Sequence, residues 1–191
     1  MNTININTLA LRGFTSILLL CITTWNEAKD LAHWVNPFIG ASTNTETAGA
    51  YHGLGKTYPG AVVPFGMVQA SPQTITGGDN ASGYSDEHTT IEGFSLTQMS
   101  GVGWYGDMGN FMVMPTTGHM YTCSGTIDGT VKGWRSHYDK ASEQAHAGYY
   151  SVLLCDDGIR AETTASLHCG AMRFTFPQSD SAHIEIDLAR R

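Results

Sequence analysis

Trp104, Tyr105 and Asp107 stand together in a glycine-rich stretch, GVGWYGDMG at residues 101–109, and their types suit the recognition of a sugar. An aromatic ring stacks on the apolar face of a pyranose, and a neighbouring carboxylate accepts hydrogen bonds from its hydroxyls. The competing reading buries Trp104 in a core and uses Asp107 to satisfy turn amides, as most tryptophans and loop aspartates do. The glycines also give a G-x-G-x-x-G spacing, but NFMVM follows at residues 110–114 and reads as a strand. Without a helix and a βαβ pattern the stretch is no cradle for a dinucleotide phosphate.

Other chemistries are weaker. The loop DNASGYSDEHTTIE, residues 79–92, has Ala81 and Gly83 where an EF-hand counted from Asp79 needs side-chain oxygen ligands and Thr90 where it needs a glutamate, so it reads as a solvated turn. Eight histidines, at 33, 52, 88, 119, 137, 146, 168 and 183, include no zinc-finger or H-E-x-x-H spacing, and no metal-ligand set is assigned. No G-x-S-x-G nucleophile elbow occurs. With charged residues at 14% and a formal net charge of -7, no phosphate-binding surface is expected and nucleic acid is not a partner.

The elements that must position the trio come from composition and period. The 191 residues suffice for one ordinary domain, and 22 glycines with 10% aromatics point to an all-β fold of short strands and tight turns. HWVNPFIG, residues 33–40, reads as a short β-like run, and Pro59-Gly60 and Pro64 confine any strand in 58–72 to Val62 through Val68. IEGFSLTQM and NFMVMPTTG read as strands flanking the trio, with a short turn of helix beginning at FSLTQM as the equal alternative. YYSVLLC, IRAETTASL and GAMRFTF read as three successive antiparallel strands, the first turn marked by Asp157-Gly158. AHIEIDL, residues 182–188, alternates Ala182, Ile184, Ile186 and Leu188 with His183, Glu185 and Asp187, the period of a half-buried strand. The middle strand of the three puts Cys155 and Cys169 about 30 Å apart, against roughly 7 Å for a disulfide, so both are expected as free thiols.

The N-terminus carries Arg12 and then an apolar run from Phe14 to Trp25, too short to span a membrane as a helix. It reads as an export signal, residues 1–23, cleaved after Thr23. A lipid anchor on Cys21, with Leu20 standing where a small residue is wanted, and no processing at all are the alternatives. The expectation is a domain over 24–191 and a periplasmic, cell-surface or secreted location.

VNPFIG (35–40), YPGAVVPFGMVQASP (58–72), GFSLTQMSGVGWYGDMGNFMVMPTTG (93–118), AGYYSVLL (147–154) and IRAETTASLHCGAMRFTFP (159–177) together resemble the N-terminal domain of glycoside hydrolase family 92, the exo-acting α-mannosidases. The resemblance implies a β-sandwich of the galactose-mutarotase-like type, followed in complete members by an (α/α)6 helical barrel. It implies calcium-dependent, inverting hydrolysis of α-linked mannose, in N-glycans or mannan, in a cleft between the two domains. The catalytic carboxylates and most calcium ligands belong to the barrel, so no catalytic residue and no metal is assigned here. The chain is expected to be a truncated form that alone hydrolyses nothing. Trp104 resembles the ring that floors the leaving-group subsite in members acting on α-1,2-linked mannose, while Leu96 and Gln98 replace two histidines of FSHTHLSG. Glu92, Asp107, Glu162 and Asp187 are available carboxylates, none cast as acid or base. A stand-alone carbohydrate-binding module and a non-functional gene fragment are the rival expectations.

Overall fold

The computed structural model describes residues 31–41, 57–74, 83–99 and 111–188, and the fold below is that of the unit Ala32–Arg191. It is a β-sandwich of two antiparallel sheets; the one helical element among the described residues is a 3-10 turn at Ala32–Trp34. The strands in chain order are β1 (Ser71–Gln73), β2 (Thr90–Ile91), β3 (Gly93–Ser95), β4 (Met112–Thr117), β5 (Ser136–His146), β6 (Tyr149–Leu154), β7 (Ile159–Ala165), β8 (Gly170–Thr175) and β9 (Ala182–Asp187). One sheet runs β1-β3-β4-β9 and the other β2-β5-β6-β7-β8.

The five-stranded sheet follows from its sequence. β6, β7 and β8 pair through Val152↔Ala161 and Ala161↔Phe174, so alternate residues share one face. Tyr150, Val152, Leu154, Ile159 and Ala161 on that face are buried, and Phe174 carries it to Phe94 of β3, ring centroids 5.9 Å apart. This is the core between the sheets. Gly158, at φ +64, supplies the left-handed residue that the β6–β7 turn needs. Cys155 and Cys169 lie beyond opposite ends of β7, and both are free and exposed, as is Cys123.

Three expectations are corrected. HWVNPFIG is not β-like: the Asn36 side chain accepts the Phe38 N–H at 3.0 Å and the Ile39 N–H bonds Asn36 O at 3.2 Å, so Asn36-Pro37 opens a turn. Val62 to Val68 forms no strand; it folds into a turn between the isolated bridges Ala61↔Ala70 and Gln69↔Thr97, and the strand comes later, as β1. IEGFSLTQM is split, β2 in one sheet and β3 in the other, with Glu92 at the crossing.

β9 has the expected period but the unexpected sense. Its apolar side chains face outward, with Ile184 and Ile186 51% and 61% exposed, while Glu185 is buried. Inward, Thr116 Oγ1 meets His183 Nε2 at 2.8 Å and the Tyr121 N–H donates to Glu185 Oε1 at 3.3 Å, so the polar face is the one with hydrogen-bond partners inside the sandwich.

Candidate functional site

β3 and β4 form the arms of an antiparallel hairpin, Phe94 opposite Val113, so the connection 96–111 leaves and re-enters at one end of the four-stranded sheet. Ser71 of β1 lies opposite Ser95 and Asp187 of β9 opposite Met112 at this same end. The other sheet meets it there. The Met67 N–H donates to Leu167 O at 2.8 Å, and a Cβ on Gly170 would collide with the Leu96 side chain at 2.5 Å. The turns after β5 and β7, the segment 57–70 and the root of the long connection therefore converge at one end of the sandwich.

Trp104, Tyr105 and Asp107 lie in that connection, at 100–110, outside the described residues. Its two roots are described. At one, Gln98 donates its backbone N–H to Gln69 O at 3.1 Å, while its side-chain amide is buried and neither amide atom has a hydrogen-bond partner. Such a group is uncommon, because an unpaired buried amide atom costs about 1–3 kcal/mol. At the other root, Phe111 has φ +61 and is 65% exposed.

Phe65 repeats the pattern. Gly66 N–H closes the turn on Val63 O at 3.0 Å, with Pro64 and Phe65 in its two central places. Phe65 has φ +60 and a fully exposed ring, in a place turns ordinarily give to glycine or asparagine. Phe65 and Phe111 are the two non-glycine residues with positive φ among the described residues, and both belong to this end. Strained backbone of this kind concentrates at functional positions. The sequence pattern places a strand across this turn, and nothing in residue types announces a phenylalanine held left-handed.

This strain gives a direct prediction. Phe65→Gly is expected to stabilise the fold by about 0.5–1 kcal/mol, since relief of roughly 1–2 kcal/mol of left-handed strain exceeds a glycine entropy cost of roughly 0.5–1 kcal/mol. Urea denaturation measures it; a lower midpoint for the glycine variant would show that the ring makes a stabilising contact.

Two of the available carboxylates have structural occupations. Glu92, with no exposed surface, is ion-paired with Arg135. Glu162 Oε2 accepts from Arg173 Nε at 2.6 Å and Oε1 from the Tyr149 hydroxyl at 2.7 Å. The arginine hydrogen bonds, then the tyrosine, hold the Glu162 carboxyl at about 2, so it stays ionised and is no general acid. Asp187 ends β9, half-buried.

A model of the glycosyl hydrolase family 92 N-terminal domain matches residues 34–191. The chain belongs to glycosyl hydrolase family 92. Among solved structures, the family 92 chain is similar to the α-mannosidase BT3965 from Bacteroides thetaiotaomicron, at 42% identity and TM-score 0.75 over 84% of this chain and 20% of that one. The same enzyme in complex with mannoimidazole matches at 40% identity and TM-score 0.73, again over 84% and 20%. The inverting mannosidase BT2199 from Bacteroides thetaiotaomicron matches at 28% identity and TM-score 0.64, over 84% and 20%. A protein of Arthroderma benhamiae named as an uncharacterized secreted glycosidase is 28% identical over 80% of this chain and 18% of its own length. This family 92 chain thus spans about a fifth of the length of the proteins it resembles.

The described residues of the family 92 chain bring together no three His, Cys, Asp or Glu side chains that could hold a metal ion. No helix among the described residues is long and apolar enough to cross a membrane.

Proposed function

We propose that this chain is the N-terminal sandwich of an exported α-mannosidase acting on α-1,2-linked mannose, and that it supplies one wall of the sugar-binding cleft through the connection 96–111. The observation that carries the reading is the family 92 match over residues 34–191, joined to a sandwich end where two exposed phenylalanines are held under strain. Trp104 is the ring platform, with Tyr105 beside it and Asp107 as the polar partner for hydroxyls. Gln98 adds an unpaired amide at the root of the same connection. The similar enzyme that binds mannoimidazole supports a mannose-class ligand, and the fungal relative's description as secreted supports export.

Hydrolysis is assigned to carboxylates that the rest of a complete enzyme supplies, with any calcium ion held there as well. The wall's own work is orientation: a ring floor fixes the sugar plane and the hydroxyl partners fix its rotation, which converts binding into a defined approach of the scissile bond. The chain alone is therefore expected to bind α-1,2-mannobiose without cleaving it. Calorimetry checks the first half, where Trp104→Ala is expected to lower affinity by at least about tenfold. Release of free mannose by the purified chain, or unchanged affinity in the alanine variant, would overturn the assignment.

A further inference from the structure

A cleft of about 430 Å³ opens at the end of the sandwich away from Phe65. It lies between the loop 121–133 and the place where β5 begins and β6 gives way to β7, with His137 and Asp156 on one side and Asp128 and Lys132 on the other. The six residues of β6 separate this end from the turns near Phe65 by roughly 20 Å. The volume falls in the range of small-molecule sites, roughly 300–1,000 Å³.

The loop wall is built firmly. Trp134 N–H bonds Cys123 O at 3.2 Å, Arg135 N–H bonds Ser124 O at 3.0 Å and Thr126 N–H bonds Val131 O at 3.0 Å. Gly125 and Gly133 press backbone on backbone: a Cβ on Gly133 would stand 2.2 Å from Gly125 N. Asp128 Oδ1 accepts the Thr130 N–H at 3.1 Å and the Thr130 hydroxyl at 2.8 Å, closing the tip. A wall fixed before binding loses little freedom when a ligand arrives.

The lining also restricts the charge and polarity of a ligand. Its formal charges cancel at pH 7 with histidine neutral: Asp128 and Asp156 against Lys132 and Arg135. Arg135 is engaged with Glu92 and Asp128 with its own turn, while the Asp156 carboxylate holds His137 through Nδ1 at 3.1 Å and the backbone N–H at 3.0 Å. Neither a phosphate nor an organic cation meets an excess of opposite charge. The hydroxyls of Thr90, Ser124 and Thr126 are bonded within the protein, so what remains for a ligand is the second lone pairs of Asp156, the His137 ring and the Lys132 ammonium, below the exposed apolar side chains of Ile127 and Val131. Donors and acceptors on His137, Asp156 and Lys132 beside a small apolar rim, with no net charge, fit an uncharged polyol with one apolar face.

We propose that this cleft is an accessory site for an uncharged hexose unit, one that holds a second part of an oligosaccharide away from the wall carrying Trp104. The choice of a saccharide rests on family membership, while the site itself rests on the cleft alone. Asp156 and His137 anchor a pair of adjacent hydroxyls, Lys132 donates to a third, and Ile127 packs on the ring.

The test uses the full chain, titrated with α-1,2-mannobiose by nuclear magnetic resonance, with mannose 6-phosphate as the charged comparison. Shifts are expected at residues 124–137 and at Asp156, saturating with mannobiose and stronger than with the phosphorylated sugar. His137→Ala and Lys132→Ala are each expected to weaken binding at this end by about tenfold, with melting temperature unchanged because both side chains are exposed. Trp104→Ala is expected to leave these shifts intact. An absence of shifts at millimolar mannobiose, tighter binding of the phosphorylated sugar, or loss of every shift in the Trp104 variant alone would overturn the accessory site. None of these outcomes by itself removes the proposed wall, which stands or falls on the calorimetry of Trp104→Ala.

Discussion

Replacing Arg135 with methionine is expected to destabilise the protein by about 3–5 kcal/mol, the usual cost of removing one partner from a buried ion pair. The Arg135 and Glu92 side chains are 8% and 0% exposed, and the guanidinium reaches the carboxylate directly. Arg135 Nη1 also donates to Thr74 O at 2.6 Å, and the Trp134 indole donates to Glu92 O at 2.8 Å. Glu92 sits where the chain leaves β2 for β3, and its own N–H bonds Gln73 O at 2.8 Å. The pair therefore clamps the crossing between sheets to the loop that precedes β5. A double variant, Arg135→Met with Glu92→Met, is expected to recover much of the loss, because the desolvation cost of the carboxylate goes with it. Urea denaturation of the two variants decides: a single-variant loss under about 1 kcal/mol would show water reaching Glu92 in place of the guanidinium.

Glu143→Ala is the second large effect, at about 2–4 kcal/mol. Glu143 Oε1 accepts the Tyr150 hydroxyl at 2.6 Å and the Tyr84 hydroxyl at 2.9 Å, and Tyr150 is fully buried. Truncation leaves the Tyr150 hydroxyl without its acceptor, about 1–3 kcal/mol, and removes a charge-assisted bond from Tyr84. Burial raises the Glu143 carboxyl above the usual carboxylate range despite those two bonds. The folded state thus keeps a proton that the unfolded chain has already released. The stability this group adds is full below the ordinary carboxylate range and is lost as pH rises through the raised folded value. Glu143→Gln keeps an acceptor for both phenols, so it is expected to flatten the fall in melting temperature on going from pH 4 to 7. An unchanged slope would show that another group sets it. Glu162 acts with the opposite sign: its stabilisation is present above the ordinary range and lost as pH falls toward about 2.

Legibility followed the strength of local signals. β6, β7 and β8 were readable because Asp157-Gly158 fixes a turn and the strands alternate around it. β5 was not: Asp139 to Gln144 is polar with little β-propensity, and the register of its pairing shifts there, so it is held by β6 and by the Tyr84 and Tyr150 hydroxyls on Glu143. β9 shows a different limit. Alternation gives the period, but which half turns inward depends on partners such as Thr116 and Tyr121, distant in sequence. At the candidate site, Trp104, Tyr105 and Asp107 are nominated by their types alone and lie outside the described residues, whereas Phe65 and Phe111 are distinguished by backbone angles that types do not carry. The accessory cleft was illegible because His137, Asp156 and the loop at Asp128 meet only when three separate segments fold together.

The two sheets also differ in when they can exist. β5 to β8 join by successive hairpins, so each strand finds its neighbour as soon as it is made. β4 pairs with β9 across the whole intervening sheet, from Met112↔Asp187 to Thr117↔Ala182. During synthesis β4 therefore waits, one backbone edge unsatisfied, until the ribosome has delivered every strand of the other layer. An unpaired edge bearing Met112, Val113 and Met114 is a template for intermolecular pairing. The vulnerable interval in the life of this protein is the one before residues 182–187 emerge.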